Sequence, residues 1–190
     1  MLSLRSNPNQ KQGESRGFPL EEDLLILDKV MPCLKFQKLS SNGFLSTKDL
    51  MALATDLQRD RFSVRNRWEH NLQPMLLQHY TGTSGFRVER MLTSLVAQNY
   101  KDHRGIDWAE IVSKHKEFAG HTSASISLIF RHCLESARRQ SNINSLQDVA
   151  EWCATTYKPR KESSANMARR EKMVEHFMKR VKNLGINVVV

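Results

Sequence analysis

The chain has 190 residues, 39% of them hydrophobic and 26% charged, with 29 lysines and arginines against 20 acids for a net charge of +9. That length can bury roughly 70% of the extended chain's surface, so a core can form without disulfides or metals. No long apolar run is present, which excludes a transmembrane helix, and no apolar stretch follows Met1, so no secretory signal and no membrane partner are expected.

Cys33, Cys133 and Cys153 are widely spaced and form no Cys-x-x-Cys pair, which predicts a reducing compartment and small buried apolar roles. The seven histidines have no metal-ligand spacing, and no His-Glu-x-x-His, Gly-x-Ser-x-Gly, phosphate-loop or dinucleotide glycine pattern occurs. Neither an enzyme nor a bound cofactor or metal is expected. Residues 18–85 carry eight basic and eight acidic side chains, so the positive excess lies elsewhere, chiefly in residues 86–190. A basic chain of this kind favours polyanionic partners, and charge alone does not separate nucleic acid from acidic protein.

Residues 1–17 hold almost nothing to bury and read as a disordered tail. Helical spacing then begins: Pro19 suits a first turn, Glu21, Glu22 and Asp23 complement the helix dipole, and Leu20, Leu24, Leu27 and Met31 form a stripe that Pro32 ends. Cys33 to Phe44 reads as a loop, with Leu34, Phe36 and Phe44 tucked against the core. Ser46 and Asp49 make a capping box for a second helix with Leu50, Leu53, Ala54 and Leu57 inward. A third runs from about Ser63 to Leu72, with Val64, Trp68 and Leu72 inward and Pro74 soon after.

Residues 81–85 are a short linker, beyond which the three-helix rhythm recurs over 86–140. Val88, Met91, Leu92, Leu95 and Val96 form its first stripe, Asp107 caps a helix with Trp108, Ile111 and Val112, and Thr122 caps one with Ile126, Ile129, Phe130 and Cys133. The remaining 141–190 is a helical extension. Its first helix is capped by Ser145 with Asp148, and a basic turn at Lys158–Ser164 leads to a second that Gly185 stops. The Val174, Phe177, Val181 and Leu184 stripe of that last helix packs on its own chain or self-associates with a second copy. The fold class expected is all-α, two tandem three-helix units and a C-terminal extension.

With Val64, Trp68 and Leu72 turned inward, Arg65, Asn66 and Glu69 fall on the outer side of the third helix. Arginine pairs bidentately with guanine, asparagine with adenine, and glutamate accepts from cytosine, so these three are the candidate base contacts. Arg59, Arg61 and Arg67 are candidate phosphate contacts, which fix position without reading sequence. The competing reading is a solvated helix whose arginines pair with the acidic first helix.

Phe18-Pro-Leu-Glu-Glu-Asp23 resembles the opening of a Myb/SANT repeat, and Arg65-Asn-Arg-Trp68 resembles the end of one, whose third helix carries the last of three spaced tryptophans. The second unit is similar: Phe86, Trp108 and Phe130 are 22 residues apart, and Gly120-His-Thr122 resembles the Gly-Arg-Thr that introduces the recognition helix. The chain departs from the pattern at Leu50, in an insertion at Cys33 to Phe44, and at Ser127 and Leu128, where the family's base readers would stand.

The resemblance implies tandem helix-turn-helix, homeodomain-like units in a nuclear regulator of transcription or chromatin that binds double-stranded DNA. The first unit would read bases. The second would support it, touch phosphate through Arg131, Arg138 and Arg139, or bind chromatin and transcription proteins as SANT-type modules do. His121 is either a phosphate contact or a surface histidine without a task, while Trp108 and Trp152 are expected in the core. The alternative is a SANT-type protein-interaction subunit with weak or no DNA binding. An RNA-binding adaptor would need exposed aromatic pairs that the sequence does not offer.

Overall fold

Pro19, in an extended conformation, introduces α1 (Leu20–Val30), whose first turn holds Glu21, Glu22 and Asp23 and whose last holds Lys29, so both ends complement the dipole. Ile26, Leu27 and Val30 are buried, together with Asp23. The computed structural model describes residues 17–41, 45–83, 88–140, 143, 145–158 and 162–190, and every regular element among them is helical. The disordered-tail expectation for residues 1–16, Phe44 of the loop, residues 84–85 of the linker, Phe86, and residues 159–161 of the basic turn lie outside the described residues.

Pro32 ends α1 and leads into a 3-10 turn, Cys33–Lys35, after which Leu34 and Leu39 are buried. Phe36, expected against the core, is 87% exposed. Ser46 caps α2 (Thr47–Asp56) by accepting from the Asp49 N–H. Gln58, with φ of 51°, makes the left-handed corner that leads to α3 (Arg61–Arg67), and Asp60 caps it.

The third helix does not stop before Pro74. It passes through a π turn, Trp68–Leu72, into α4 (Gln73–Tyr80), with Pro74 in the first turn of α4. The Gln73 N–H donates to the Trp68 carbonyl five residues back, and this wider turn accommodates a proline that has no N–H to give. Buried Gln73 then donates its amide to the Leu39 and Ser41 carbonyls at 2.7 and 3.0 Å, holding the loop to α4.

A second group of helices follows. α5 (Glu89–Asn99) precedes α6 (Trp108–Lys114), capped by Asp107, then a 3-10 turn, Lys116–Phe118, and α7 (Ser123–Gln140). Thr122 and Ser125 exchange side-chain bonds with each other's N–H groups at the start of α7. α8 (Leu146–Thr155) carries the capping box of Ser145 and Asp148 and packs on α5.

Two apolar cores result. The second holds Val88, Leu92, Phe118, Phe130 and Cys133 and is closed by Leu146, Val149, Trp152 and Cys153 of α8. The first centres on Ile26, Leu27, Val64, Trp68 and Leu76, and it also contains Met173, Phe177 and Val181. Those last three belong to α9 (Ser164–Asn183), which returns past the second group to lie along α1. The stripe of the last helix is thus used inside the chain, with Leu184 left 49% exposed, and Gly185 at φ 62° ends the helix. Beyond it the Val189 carbonyl accepts from the Leu39 N–H at 2.7 Å.

Asp23 locks this arrangement. It is fully buried, and its carboxylate takes Arg67 of α3 at 2.8 and 2.6 Å and Arg169 of α9 at 3.2 and 2.5 Å. Arg169 also reaches the Phe18 carbonyl. One turn further along α1, Asp28 takes His176 and Arg180 of α9, each at 3.0 Å.

The two groups also meet away from α9, because α7 packs against the π turn and Gly120 sits tightly on the end of α4. A Cβ at Gly120 would stand 2.0 Å from the Thr83 hydroxyl, 3.0 Å from Gln78 and 3.1 Å from Thr81. Gly120→Ala should therefore cost about 1 to 3 kcal/mol by overpacking, read by urea denaturation. Adding Thr83→Gly removes the nearest obstruction and should restore part of the loss; strict additivity of the two changes would refute this contact.

Candidate nucleic-acid interface

Successive residues of α3 divide by burial. Val64 and Trp68 are 0% and 1% exposed and anchor the helix, while Arg61, Phe62, Arg65 and Asn66 face solvent. Residues 62, 65, 66 and 69 recur at three- and four-residue steps and so share one face. From first to last they span about 10 Å of helix, comparable with the width of the major groove, about 12 Å.

The predicted base contacts fare differently. Asn66 is exposed, and Arg65 is too, with its side chain 54% accessible. Glu69 is mostly covered, at 16%, and accepts from Arg65 Nε at 2.8 Å. Such an exposed i, i+4 pair contributes only about 0.3 to 0.5 kcal/mol, less than the roughly 1 to 3 kcal/mol of a good bidentate base contact. Glu69 orients Arg65 without tying it down.

Two predicted phosphate contacts have other work. Arg67 points inward to Asp23, and breaking such a buried pair costs about 3 to 5 kcal/mol, far beyond what a phosphate contact returns. Arg59 chelates Glu22 at 3.0 and 3.2 Å, donates to the Gly17 carbonyl, and lies 4.7 Å from the Phe18 ring centre. The placement of both follows the competing reading, in which arginines pair with the acidic first helix. Arg61 remains outward, its guanidinium 4.7 Å over the Phe62 ring.

α7 brings Arg131 and His132, both exposed, to the side of the π turn. His70, in that turn, is held below its ordinary pKa chiefly by burial, with Arg131, Arg65 and His132 adding positive charge against the opposing effect of Glu69. Arg65 of α3 and Arg131 of α7 thus both act electrostatically on this histidine. Between the helices lies a cleft of about 580 Å³, with Arg65, Glu69 and Gln73 on one wall and Trp108, Ser123 and Ser127 among the residues of the other. Arg138 and Arg139 are exposed near the far end of α7, where Arg138 borders a recess beside Lys101 and His103 rather than this cleft.

His121 is neither a phosphate contact nor a surface histidine. It is 5% exposed, and burial pushes its pKa down to about 4. Trp152 is buried as expected, whereas Trp108 is half-buried, 5.4 Å from the Phe130 ring. Among the described residues, no group of three His, Cys, Asp or Glu side chains is placed to hold a metal, and no helix is long and apolar enough to cross a membrane. Searches of protein-family models, curated proteins and solved structures return no match to the chain.

Phe62, His70 and Asp60 were missed from sequence as parts of this face. Phe62 was legible, since it precedes Arg65 and Asn66 by three and four residues. Asp60 was too, as a capping residue three before Ser63. His70 depends on α7 being alongside, which no local pattern gives.

The buried His121 makes stability depend on pH. Its folded pKa of about 4 lies below the ordinary 6.5, so the unfolded state binds the extra proton between those values and stability falls as pH drops through that window. The loss from this group between pH 7 and pH 5 should be on the order of 2 kcal/mol. In His121→Gln that part of the pH dependence should vanish when denaturant midpoints are compared at the two pH values.

Proposed function

We propose that the chain is a double-stranded DNA-binding protein built on two tandem Myb/SANT-like three-helix units, α1–α3 and α5–α7, that reads the major groove with the outer face of α3. A role as a nuclear transcription or chromatin regulator follows from that reading. The observation that carries it is the exposed pairing of Arg65 and Asn66 on a helix held from behind by Val64 and Trp68. Arg65 and Asn66 supply base contacts, and Arg61 and Arg131 supply phosphate contacts on either side. Arg59 and Arg67 belong to the scaffold.

One observation favours a second reading, a SANT-type protein-interaction subunit. Arg59, Arg65 and Arg67 all have carboxylate partners, so the face carries less free positive charge than its sequence suggests. A histone tail or another protein segment would then be bound with little preference for any duplex.

Selection of bound sequences from a random duplex pool separates the two. Enrichment of a defined site is expected, and its absence would move the assignment to the protein-interaction reading. On the selected site, Asn66→Ala should relax preference at one base pair, losing about 1 to 3 kcal/mol there. Arg131→Ala should weaken all duplexes alike and lower the salt slope by about one phosphate. Arg67→Ala should instead lower the unfolding free energy by about 3 to 5 kcal/mol, as a scaffold residue would.

A further inference from the structure

We propose that Phe62 reads the 5-methyl group of a thymine, so that the site bound by α3 contains a T·A pair next to the bases contacted by Arg65 and Asn66. This inference rests on the DNA-binding reading above and adds a specificity residue to it.

Phe62 is 57% exposed, among the most exposed large apolar side chains of the described residues, and it stands on the reading face rather than at its margin. It lies one turn before Arg65 and Asn66, so along the helix it is displaced by about 5 Å from them, or one to two base-pair steps. A phenyl ring offers no hydrogen bond to a base edge. In the major groove the apolar group a standard base pair displays is the thymine methyl, which apolar side chains contact.

The ring is also held in place. The Arg61 guanidinium lies over one of its faces at 4.7 Å, an attraction that fixes the ring at an exposed site and leaves the cation at the helix start, where a phosphate can approach it. The neighbouring charges argue for this occupant over an apolar protein groove. Arg61 on one side and Arg65 on the other suit a polyanion that carries an isolated methyl, whereas an apolar groove would have to desolvate both guanidiniums.

The test uses the full chain and the duplex selected from the random pool, with each thymine replaced in turn by uracil, which keeps every hydrogen bond and removes only the methyl. One replacement should weaken binding of the unaltered protein about fourfold, the value of burying one methyl-sized group. Phe62→Ala should bind the thymine and uracil duplexes equally, while Phe62→Leu retains most of the discrimination. Asn66→Ala should keep the thymine-to-uracil difference, since it acts at another base pair. Equal binding of thymine and uracil duplexes by the unaltered protein would overturn the proposal while leaving DNA reading intact, as would undiminished discrimination by Phe62→Ala. A pool without any enriched sequence would instead remove the DNA-binding reading and this inference with it. Circular dichroism melting of Phe62→Ala, an exposed position, should match the unaltered chain, and a large loss would assign Phe62 a folding role and overturn the proposal.

Discussion

A single carboxylate without solvent contact, Asp23, governs much of this molecule. A buried charge is tolerated only when it is paired and hydrogen-bonded, and Asp23 has a guanidinium from α3 on one side and another from α9 on the other. The requirement to satisfy it fixes how α1, α3 and the last helix sit together. It also removes Arg67 from the pool of residues that can meet a partner. Exposed and scaffolding positions are therefore neighbours on one helix: Arg65 and Asn66 face out, Val64 and Trp68 face the core, and Arg67 spans the boundary.

The second determinant is the π turn. An uninterrupted α-helical pattern would meet Pro74 with a carbonyl clash at His70; the extra residue in the turn resolves it and lets the rod continue to Tyr80. The turn is also the seam where α7 packs, so the accommodation of a proline and the juxtaposition of the two third helices occur at one place. Gly120 lets the lead-in to α7 approach the end of α4, and His121, buried beside it, is kept neutral by desolvation.

Local chemistry made much of the fold readable from sequence. Ser46, Asp107, Thr122 and Ser145 cap the helices they were expected to cap, and Gly185 ends the last one, because each depends only on residues within one turn. Four features were not decided by local sequence, for the opposite reason. The inward turn of Arg67 and the placement of α9 depend on groups up to 146 residues apart that meet at Asp23. The burial of His121, next to the close approach of Gly120 to the end of α4, is a tertiary placement. The passage through Pro74 depends on a backbone adjustment that no residue pattern announces. Of the candidate face, the exposed Arg65 and Asn66 followed from the helical period alone, and the partners that surround them did not.

The return of α9 to the first core has a consequence for how the chain is made. The second core is assembled from consecutive helices, α5 to α8, whereas the first lacks Met173, Phe177 and Val181 until synthesis has run some hundred residues beyond Tyr80. At usual translation rates that interval lasts about 5 to 20 s. During it, α1 lacks the part of its apolar cover that α9 supplies and Asp23 lacks one of its two arginines. The amino-terminal half of this protein therefore matures last, and the order of birth along the ribosome is the reverse of the order in which the two halves become complete.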